Sequence, residues 1–147
     1  MTPAQAEYHF QAMLRNLKTE ALEACARAYA PYSKFTVGAA VLTESGEIFT
    51  GSNVENASYG LTMCAERVAI FSAVSAGHRK IAGLVLYTPT KAPTAPCGAC
   101  RQVIREFGQP SMPIISFCED SVLDGTRWTL DELLPDSFGP ENLKETG

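Results

Sequence analysis

The order of strand-like and helix-like segments is the feature that most restricts the fold of this 147-residue chain. Residues 35–43 and 47–55 are two β-rich runs joined by E-S-G, which predicts a β-hairpin. Beyond it, the pattern predicts a helix over about 63–76, a strand over 81–88, a helix over about 98–107 and a strand over 112–118. Strands that alternate with helices after a hairpin indicate a mixed sheet with helices packed on it.

The ends of the chain add further predicted elements. In residues 2–30 apolar side chains recur at steps of three and four, which predicts an amphipathic helix, interrupted at most once and stopped by Pro31. Those side chains are Phe10, Met13, Leu14, Leu17, Ala21, Leu22, Cys25 and Tyr29. Near the C-terminus, R-W-T predicts a short strand and L-D-E-L-L-P a short helix. By length we expect one domain, spanning residues 1–147.

Composition limits the class of protein. The net charge is −4 and no basic patch is visible, which argues against a polynucleotide partner. No apolar run approaches the ~20 residues that span a bilayer, so we expect no membrane partner. The first residues lack the basic and apolar regions of a secretory signal. Five cysteines, an odd number, therefore predict reduced thiols and a cytoplasmic protein.

Three cysteines stand where predicted strands give way to helices. Cys97 and Cys100 lie in P-C-G-A-C and Cys64 lies in T-M-C-A-E, each at a predicted helix start. A helix N-terminus offers free N–H groups and partial positive charge, which favour thiolates. Cys97 and Cys100 share one side of a helical turn, and Cys64 joins them if the two helices start side by side. Three thiolates on a tetrahedral zinc leave one position for water, as in catalytic sites.

Glu66 gains a role from the same arrangement. Two residues along a helix are about 200° apart around its axis, so Cys64 and Glu66 converge only if the metal lies at the helix end. A carboxylate beside the zinc-bound water, not binding the metal, is what a proton shuttle requires. No fourth ligand is evident, because His9 is embedded in the first helix and His78 is roughly 20 Å from Cys64 along the second.

Two other interpretations of the cysteines remain open at this point. As an isolated motif, C-G-A-C fits a redox dithiol as well as a zinc site. A closed structural zinc site that recruits Cys118 is a second alternative. The C-A-E segment favours the catalytic zinc site, since a redox pair needs neither Cys64 nor Glu66 and a closed site leaves Glu66 without a role.

Five motifs together resemble the small, homotetrameric cytidine deaminases. They cover nearly the whole chain from residue 28 onward and occur in the same order. They are Y-S-K-F-T-V-G-A-A (32–40), N-V-E-N-A-S-Y-G (53–60), C-A-E-R-V-A (64–69), P-C-G-A-C-R-Q-V (96–103) and E-L-L-P-D-S-F-G-P (132–140). C-A-E followed by P-C-x-x-C matches the zinc deaminase signature, with cysteine where many relatives have histidine. We therefore expect a three-layer α/β/α fold with a mixed sheet of about five strands and helices on both faces.

The resemblance implies a reaction and a metal site. One zinc ion per subunit is held by Cys64, Cys97 and Cys100, and Glu66 takes a proton from the zinc-bound water. The hydroxide attacks C4 of cytosine, and the same carboxyl delivers protons to N3 and to the departing amine. From the resemblance we therefore expect a hydrolase of a cyclic amidine C–N bond that converts cytidine and 2′-deoxycytidine to uridine and 2′-deoxyuridine plus ammonia in pyrimidine salvage. Arg67 hydrogen-bonds the thiolates and offsets the net charge of −1 that three thiolates give the zinc.

The resemblance also implies residues that bind the nucleoside. Asn53 and Glu55 are two apart, hence on one face of the predicted strand, and bind the ribose 3′-hydroxyl in similar enzymes. Phe35 corresponds to the phenylalanine that stacks on the base. A related deaminase for a modified nucleoside such as blasticidin S is the rival within the class, but N-V-E and S-F-G-P favour the ordinary nucleoside.

The last implication concerns assembly. Ala57, through its backbone, and Tyr59 match positions that approach the site from a neighbouring subunit. Phe138 matches the aromatic residue that closes the pocket from another subunit. We therefore expect a homotetramer whose active sites are shared between subunits and whose monomer is inactive.

Overall fold

A single mixed sheet organises the molecule, whose computed structural model describes residues 1–120 and 125–144. Its strands are β1 (Gly38–Thr43), β2 (Ile48–Ser52), β3 (Ile81–Tyr87), β4 (Pro113–Phe117) and β5 (Thr126–Thr129). They lie in the order β2-β1-β3-β4-β5, with β3 and β4 parallel and the other neighbours antiparallel. The mixed sheet of about five strands predicted from the sequence is confirmed, including the short strand at R-W-T.

The helices follow the predicted order. They are α1 (Pro3–Ala26), α2 (Ala65–Ser75), α3 (Gly98–Phe107), α4 (Leu130–Leu133) and α5 (Pro140–Lys144), with a short 3₁₀ helix at Tyr59–Leu61. The bounds of α3 equal the predicted ones, and α2 lies within its predicted range. The 3₁₀ helix and α5 were not predicted, because segments of three and five residues are too short to show a hydrophobic period.

Helix α1 differs from its prediction at its C-terminal end. Its 24 residues are unbroken and begin at a capping box between Thr2 and Gln5. It ends at Ala26, so the expected stop at Pro31 is wrong. Tyr29 instead pairs with the chain beyond β2, where its N–H donates to the carbonyl of Asn53 at 3.0 Å. A contact between distant segments therefore ends the helix before proline does.

Two apolar clusters cover the two faces of the sheet. On one face, α1 packs against inward side chains of β1 and β3, with Phe10, Leu17, Ala21, Ala40, Leu42 and Val85 fully buried. On the other face, α2 and α3 pack against the alternate residues of the same strands, including Ala39, Val41, Ala69, Ile70, Leu84, Leu86 and Ile104. Successive strand side chains point to opposite faces, so the central strands are apolar throughout. The expected three-layer α/β/α arrangement is confirmed.

Glycine lets α2 approach the sheet closely. A Cβ atom placed on Gly51 in β2 would lie 2.4 Å from the carbonyl oxygen of Ala65 and 2.5 Å from the nitrogen of Ala69. Both atoms belong to the backbone of α2, which cannot move aside as a side chain can. The absence of a side chain at Gly51 thus sets the height of the first turn of α2 above the sheet.

Candidate metal centre and active site

Two helix starts bring three cysteine thiols together. Cys64 is the N-cap of α2, Cys97 is the N-cap of α3, and Cys100 lies in the first turn of α3. The three Sγ atoms lie within 4.8 Å of one another, and those of Cys64 and Cys97 are 3.8 Å apart. Within residues 1–120 and 125–144, no other group of three or more His, Cys, Asp or Glu side chains has this proximity.

Backbone contacts fix the approach to each cysteine. Val54 and Met63 exchange two N–H···O bonds of 2.9 Å, which close the loop between them and deliver the chain to Cys64. On the other side, Arg101 Nε donates to the carbonyl oxygen of Pro96 at 2.7 Å and braces the residue before Cys97. The thiols are therefore held by local backbone geometry as well as by the packing of α2 and α3.

The electrostatics of the cluster favour a thiolate at Cys64. Hydrogen bonding from Cys100, and then from Arg67 and Cys97, outweighs burial and lowers the pKa of Cys64 to about 5. Arg67 Nη2 donates to Cys64 Sγ at 3.4 Å. The same bond to Cys64 raises the pKa of Cys100, which acts as the donor of the pair. These contacts favour negative charge on the cluster, which is what a cation site requires.

The cluster fits a zinc ion. Sulfur ligands about 2.3 Å from a tetrahedral zinc lie about 3.8 Å apart, which matches the Cys64–Cys97 separation. Thiolates are ligands that zinc accepts readily. Cys100 is buried and Cys97 is exposed, so one side of the cluster is open to solvent. An open side is a property of catalytic rather than structural zinc sites.

Glu66 lies beside the thiols as a buried carboxyl group. It occupies the second position of α2 and is 5% exposed. Burial, and next the negative charge of Cys64, raises the pKa of Glu66 to about 7 against the opposing hydrogen bonds. Because Cys64 is a cap and not a helical residue, the two side chains avoid the divergence that mid-helix positions would impose.

Asn53 and Glu55 lie just beyond β2, which ends at Ser52, on either side of Val54, which bridges Tyr29 and Met63. Asn53 is 7% exposed; its Oδ1 accepts from the N–H of Val37 at 2.8 Å, and its Nδ2 donates to the carbonyl of Phe35 at 2.8 Å. Asn53 therefore fixes the backbone that carries Phe35.

Glu55 supports the neighbouring turn. Its Oε1 accepts from the N–H groups of Tyr32 and Ser33 at 2.9 and 3.1 Å, and its Oε2 accepts a short hydrogen bond from the Ser33 hydroxyl. The Ser33 hydroxyl is the main cause that keeps the pKa of Glu55 below its ordinary 4.5. Tyr32 and Ser33 open the motif over 32–40, but the sequence analysis assigned neither a role, because their contact with Glu55 joins segments more than 20 residues apart.

The other proposed binding residues lie at the surface. Phe35, Ala57, Tyr59 and Phe138 are all exposed, and Tyr59 is 74% accessible. The ring of Tyr59 meets that of Tyr32 edge-on, with centroids 5.9 Å apart. The structure thus joins Phe35 to Asn53, whereas Ala57, Tyr59 and Phe138 face outward from the chain.

The remaining histidine and cysteine candidates have other partners. His78 Nε2 lies 2.7 Å from Glu47 Oε2, and its Nδ1 lies 3.2 Å from Ser45 Oγ. Cys118 Sγ donates to the carbonyl of Lys91 at 3.5 Å, and Cys118 does not join the three clustered thiols. The described part of the chain therefore forms no closed four-cysteine site. It also holds no helix long and apolar enough to cross a membrane.

Polar residues of α3 were missed by the sequence analysis. Arg101, Gln102 and Arg105 all donate to the C-terminal segment, at Leu133, Phe138 and Ser137 respectively. Their spacing on the solvent side of an amphipathic helix was visible in the sequence, but it predicts only a polar face and not its partner.

Comparisons with known proteins agree with this geometry. Residues 12–116 match the family model described as "Cytidine and deoxycytidylate deaminase zinc-binding region". A cytidine deaminase of Sporosarcina psychrophila is 46% identical over 130 residues, which cover 88% of this chain and 94% of the relative. The crystal structure of cytidine deaminase from Burkholderia pseudomallei is similar with a TM-score of 0.79 and 47% identity, covering 84% of this chain and 98% of that one. That of Mycobacterium tuberculosis gives 0.73 and 40%, covering 86% and 97%.

Proposed function

Because the chain belongs to the family of zinc-binding cytidine and deoxycytidylate deaminases, as a cytidine deaminase, we propose that it hydrolyses 2′-deoxycytidine as well as cytidine. The products are 2′-deoxyuridine or uridine and ammonia, and the reaction serves pyrimidine salvage in the cytoplasm. The net charge of −4 favours a free nucleoside over a polynucleotide as substrate. The observation that carries the proposal is the convergence of three thiols with one buried carboxyl group.

One zinc ion per subunit would be held by Cys64, Cys97 and Cys100. The chemistry that zinc supplies in an open site is Lewis acidity, which lowers the pKa of water enough for attack near neutral pH. Arg67 donates to one thiolate and offsets the excess negative charge of three. The two helix N-termini add partial positive charge at the same place.

Glu66 acts as the proton shuttle. Its carboxylate accepts a proton from the water that attacks C4 of cytosine. The carboxyl group gives that proton to N3, then takes the second proton from the oxygen now bound to C4 and gives it to the departing amine, so that water is consumed and ammonia is released. Burial keeps bulk water from competing for this proton, because Glu66 is 5% exposed.

The nucleoside is recognised by residues on the segments beside the cluster. Phe35 stacks on the base, and Asn53 with Glu55 binds the ribose 3′-hydroxyl. Asn53 Nδ2 has two hydrogens and uses one on Phe35, which leaves the other as a donor. Glu55 is an acceptor whose lowered pKa keeps it ionised.

We infer that the active enzyme is a homotetramer with shared sites. Ala57, through its backbone, and Tyr59 approach the site of a neighbouring subunit, and Phe138 closes the pocket of another. The exposure of large apolar side chains such as Tyr59 and Phe138 supports contact with further copies of the chain.

Glu66→Gln tests the proposal. The substitution preserves size and hydrogen bonding but cannot exchange protons, so deamination should fall by several orders of magnitude while zinc binding stays at one ion per chain. The measurements are cytidine absorbance over time, ammonia release and zinc content. Glu106→Gln, an exposed position on α3, is the matched control. Full turnover by Glu66→Gln would contradict the proton shuttle, and a zinc-loaded wild type without turnover on either nucleoside would contradict the function.

A further inference from the structure

The outer side of α3 holds the segment that carries Phe138. Arg105 Nε donates to Ser137 Oγ at 3.0 Å, and the guanidinium group forms an ion pair with Glu141. One turn earlier, Gln102 Nε2 donates to the carbonyl oxygen of Phe138 at 2.9 Å. We call these five residues the clasp. The clasp joins the C-terminal segment to the helix that provides two of the three clustered thiols.

Arg105 is the centre of the clasp. Its side chain is 11% exposed, although it carries a charge. A Cβ atom on Gly139 would lie 2.6 Å from Arg105 Cζ, so the backbone of the segment rests directly on the guanidinium group. The guanidinium group keeps its bonds to Ser137 and Glu141 only if position 139 lacks a side chain. A largely buried arginine with paired partners is costly to release, which favours one fixed arrangement of the segment.

Phe138 points away from this fixed backbone. Its carbonyl is bound by Gln102, yet the residue is 59% exposed. An aromatic side chain on a backbone already ordered loses little further freedom when it contacts a ligand, and such preorganisation increases affinity. The clasp therefore supplies what Phe138 would need to close a substrate pocket.

We propose that Arg105 and Gln102 are positioning residues for nucleoside binding, because they hold Phe138 in place for the pocket that it closes. This inference rests on the proposed function, in which Phe138 contacts the substrate. Neither Arg105 nor Gln102 is required to touch the nucleoside. Their effect on catalysis passes through Phe138.

Arg105→Gln should raise KM for cytidine roughly tenfold, with kcat and zinc content unchanged, because binding lost equally in the ground and transition states appears in KM alone. Gly139→Ala should change KM in the same direction by displacing the guanidinium group. Arg105→Lys, which retains the charge for Glu141 but not the planar set of donors, should give an intermediate KM. Glu106→Gln on the same helix is the control and should leave KM unchanged.

A double-mutant cycle separates positioning from a general loss of structure. In a Phe138→Ala background, Arg105→Gln should add no further increase in KM, since the side chain through which it acts is gone. Additive increases would overturn the proposal. A loss of kcat together with zinc would overturn it as well, because that pattern indicates damage to the metal centre.

Hydrogen exchange distinguishes failure of the clasp from failure of the proposed function. The N–H of Gly139 donates to Asn142 Oδ1 at 2.8 Å, and the N–H of Asn142 donates to the carbonyl oxygen of Gly139 at 3.0 Å. Both amides should exchange faster in Arg105→Gln than in the wild type or Glu106→Gln. Unchanged exchange would overturn the clasp whatever the activity. A second outcome is faster exchange in Arg105→Gln together with a wild-type protein that does not turn over cytidine. That outcome would overturn the proposed function and, with it, the link between the clasp and substrate binding.

Discussion

At the scale of single residues, Arg67 is the cation that faces the cysteine cluster. Arg67→Gln removes its charge and the donor to Cys64. A hydrogen bond to a charged group contributes about 1.5–3 kcal/mol, so kcat/KM for cytidine should fall roughly tenfold to a hundredfold. Steady-state kinetics on zinc-loaded protein, with zinc content measured in parallel, gives the result. Arg79→Gln, in the segment that follows the C-terminal end of α2 at Ser75, is the control. An unchanged kcat/KM in Arg67→Gln would show that the guanidinium group has no part in the reaction.

Single residues also show how far the sequence predicts the site. The grouping of Cys97 and Cys100 could be predicted from their spacing at one helix start. Cys64 was expected to join them if the two helices start side by side, and the structure places the three thiols together. The hydrogen-bond partners of Asn53 and Glu55 could not be predicted. Asn53 bonds to the backbone of Phe35 and Val37, and Glu55 to Tyr32 and Ser33, and no local pattern indicates contacts between segments so far apart in the sequence.

At the scale of elements, the same contrast appears between α3 and β2. The bounds of α3 were predicted because its signals are local: a proline before Cys97 and a glycine at 108. Strand β2 ends early because Val54 bridges both Tyr29 and Met63. Those partners lie 25 and 9 residues away in the sequence, so the end of β2 depends on tertiary structure that its own residues do not encode.

The contact between β2 and α2 gives an element-scale prediction. Gly51→Ala would force its Cβ atom against the backbone of Ala65 and Ala69, which lie 2.4 and 2.5 Å from its position. Displacement of α2 should lower the free energy of unfolding by about 1–3 kcal/mol. It should also reduce zinc content, since Cys64 caps the displaced helix. Urea denaturation and metal analysis provide the measurements.

Gly60→Ala is the matched control for this change. A Cβ atom on Gly60 meets no atom within 4 Å, so its substitution should leave stability and zinc content close to those of the wild type. If Gly51→Ala behaves like Gly60→Ala, the close approach of α2 does not determine the metal centre.

At the scale of the whole molecule, the structure of a single chain does not explain why two aromatic side chains are exposed. Tyr59 and Phe138 are 74% and 59% exposed, although both lie in motifs shared with cytidine deaminases. Local patterns in the sequence predicted the succession of strands and helices along the chain, because each strand and helix has its own period. The use of an exposed aromatic residue depends on what contacts it, which the sequence of one chain indicates only through resemblance.

Subunit mixing tests whether the sites are shared. Glu66→Gln chains retain Phe138, and Phe138→Ala chains retain Glu66, so neither homo-oligomer should show normal turnover at low cytidine. If Phe138 closes the pocket of a neighbouring subunit, hybrid oligomers contain sites that combine Glu66 of one chain with Phe138 of another. Co-expression should then restore activity with a wild-type KM. The control pairs Phe138→Ala with the Glu66→Gln/Phe138→Ala double variant, which supplies no intact Phe138. If Phe138 acts within its own chain, no hybrid site holds both residues and the two mixtures should have the same elevated KM.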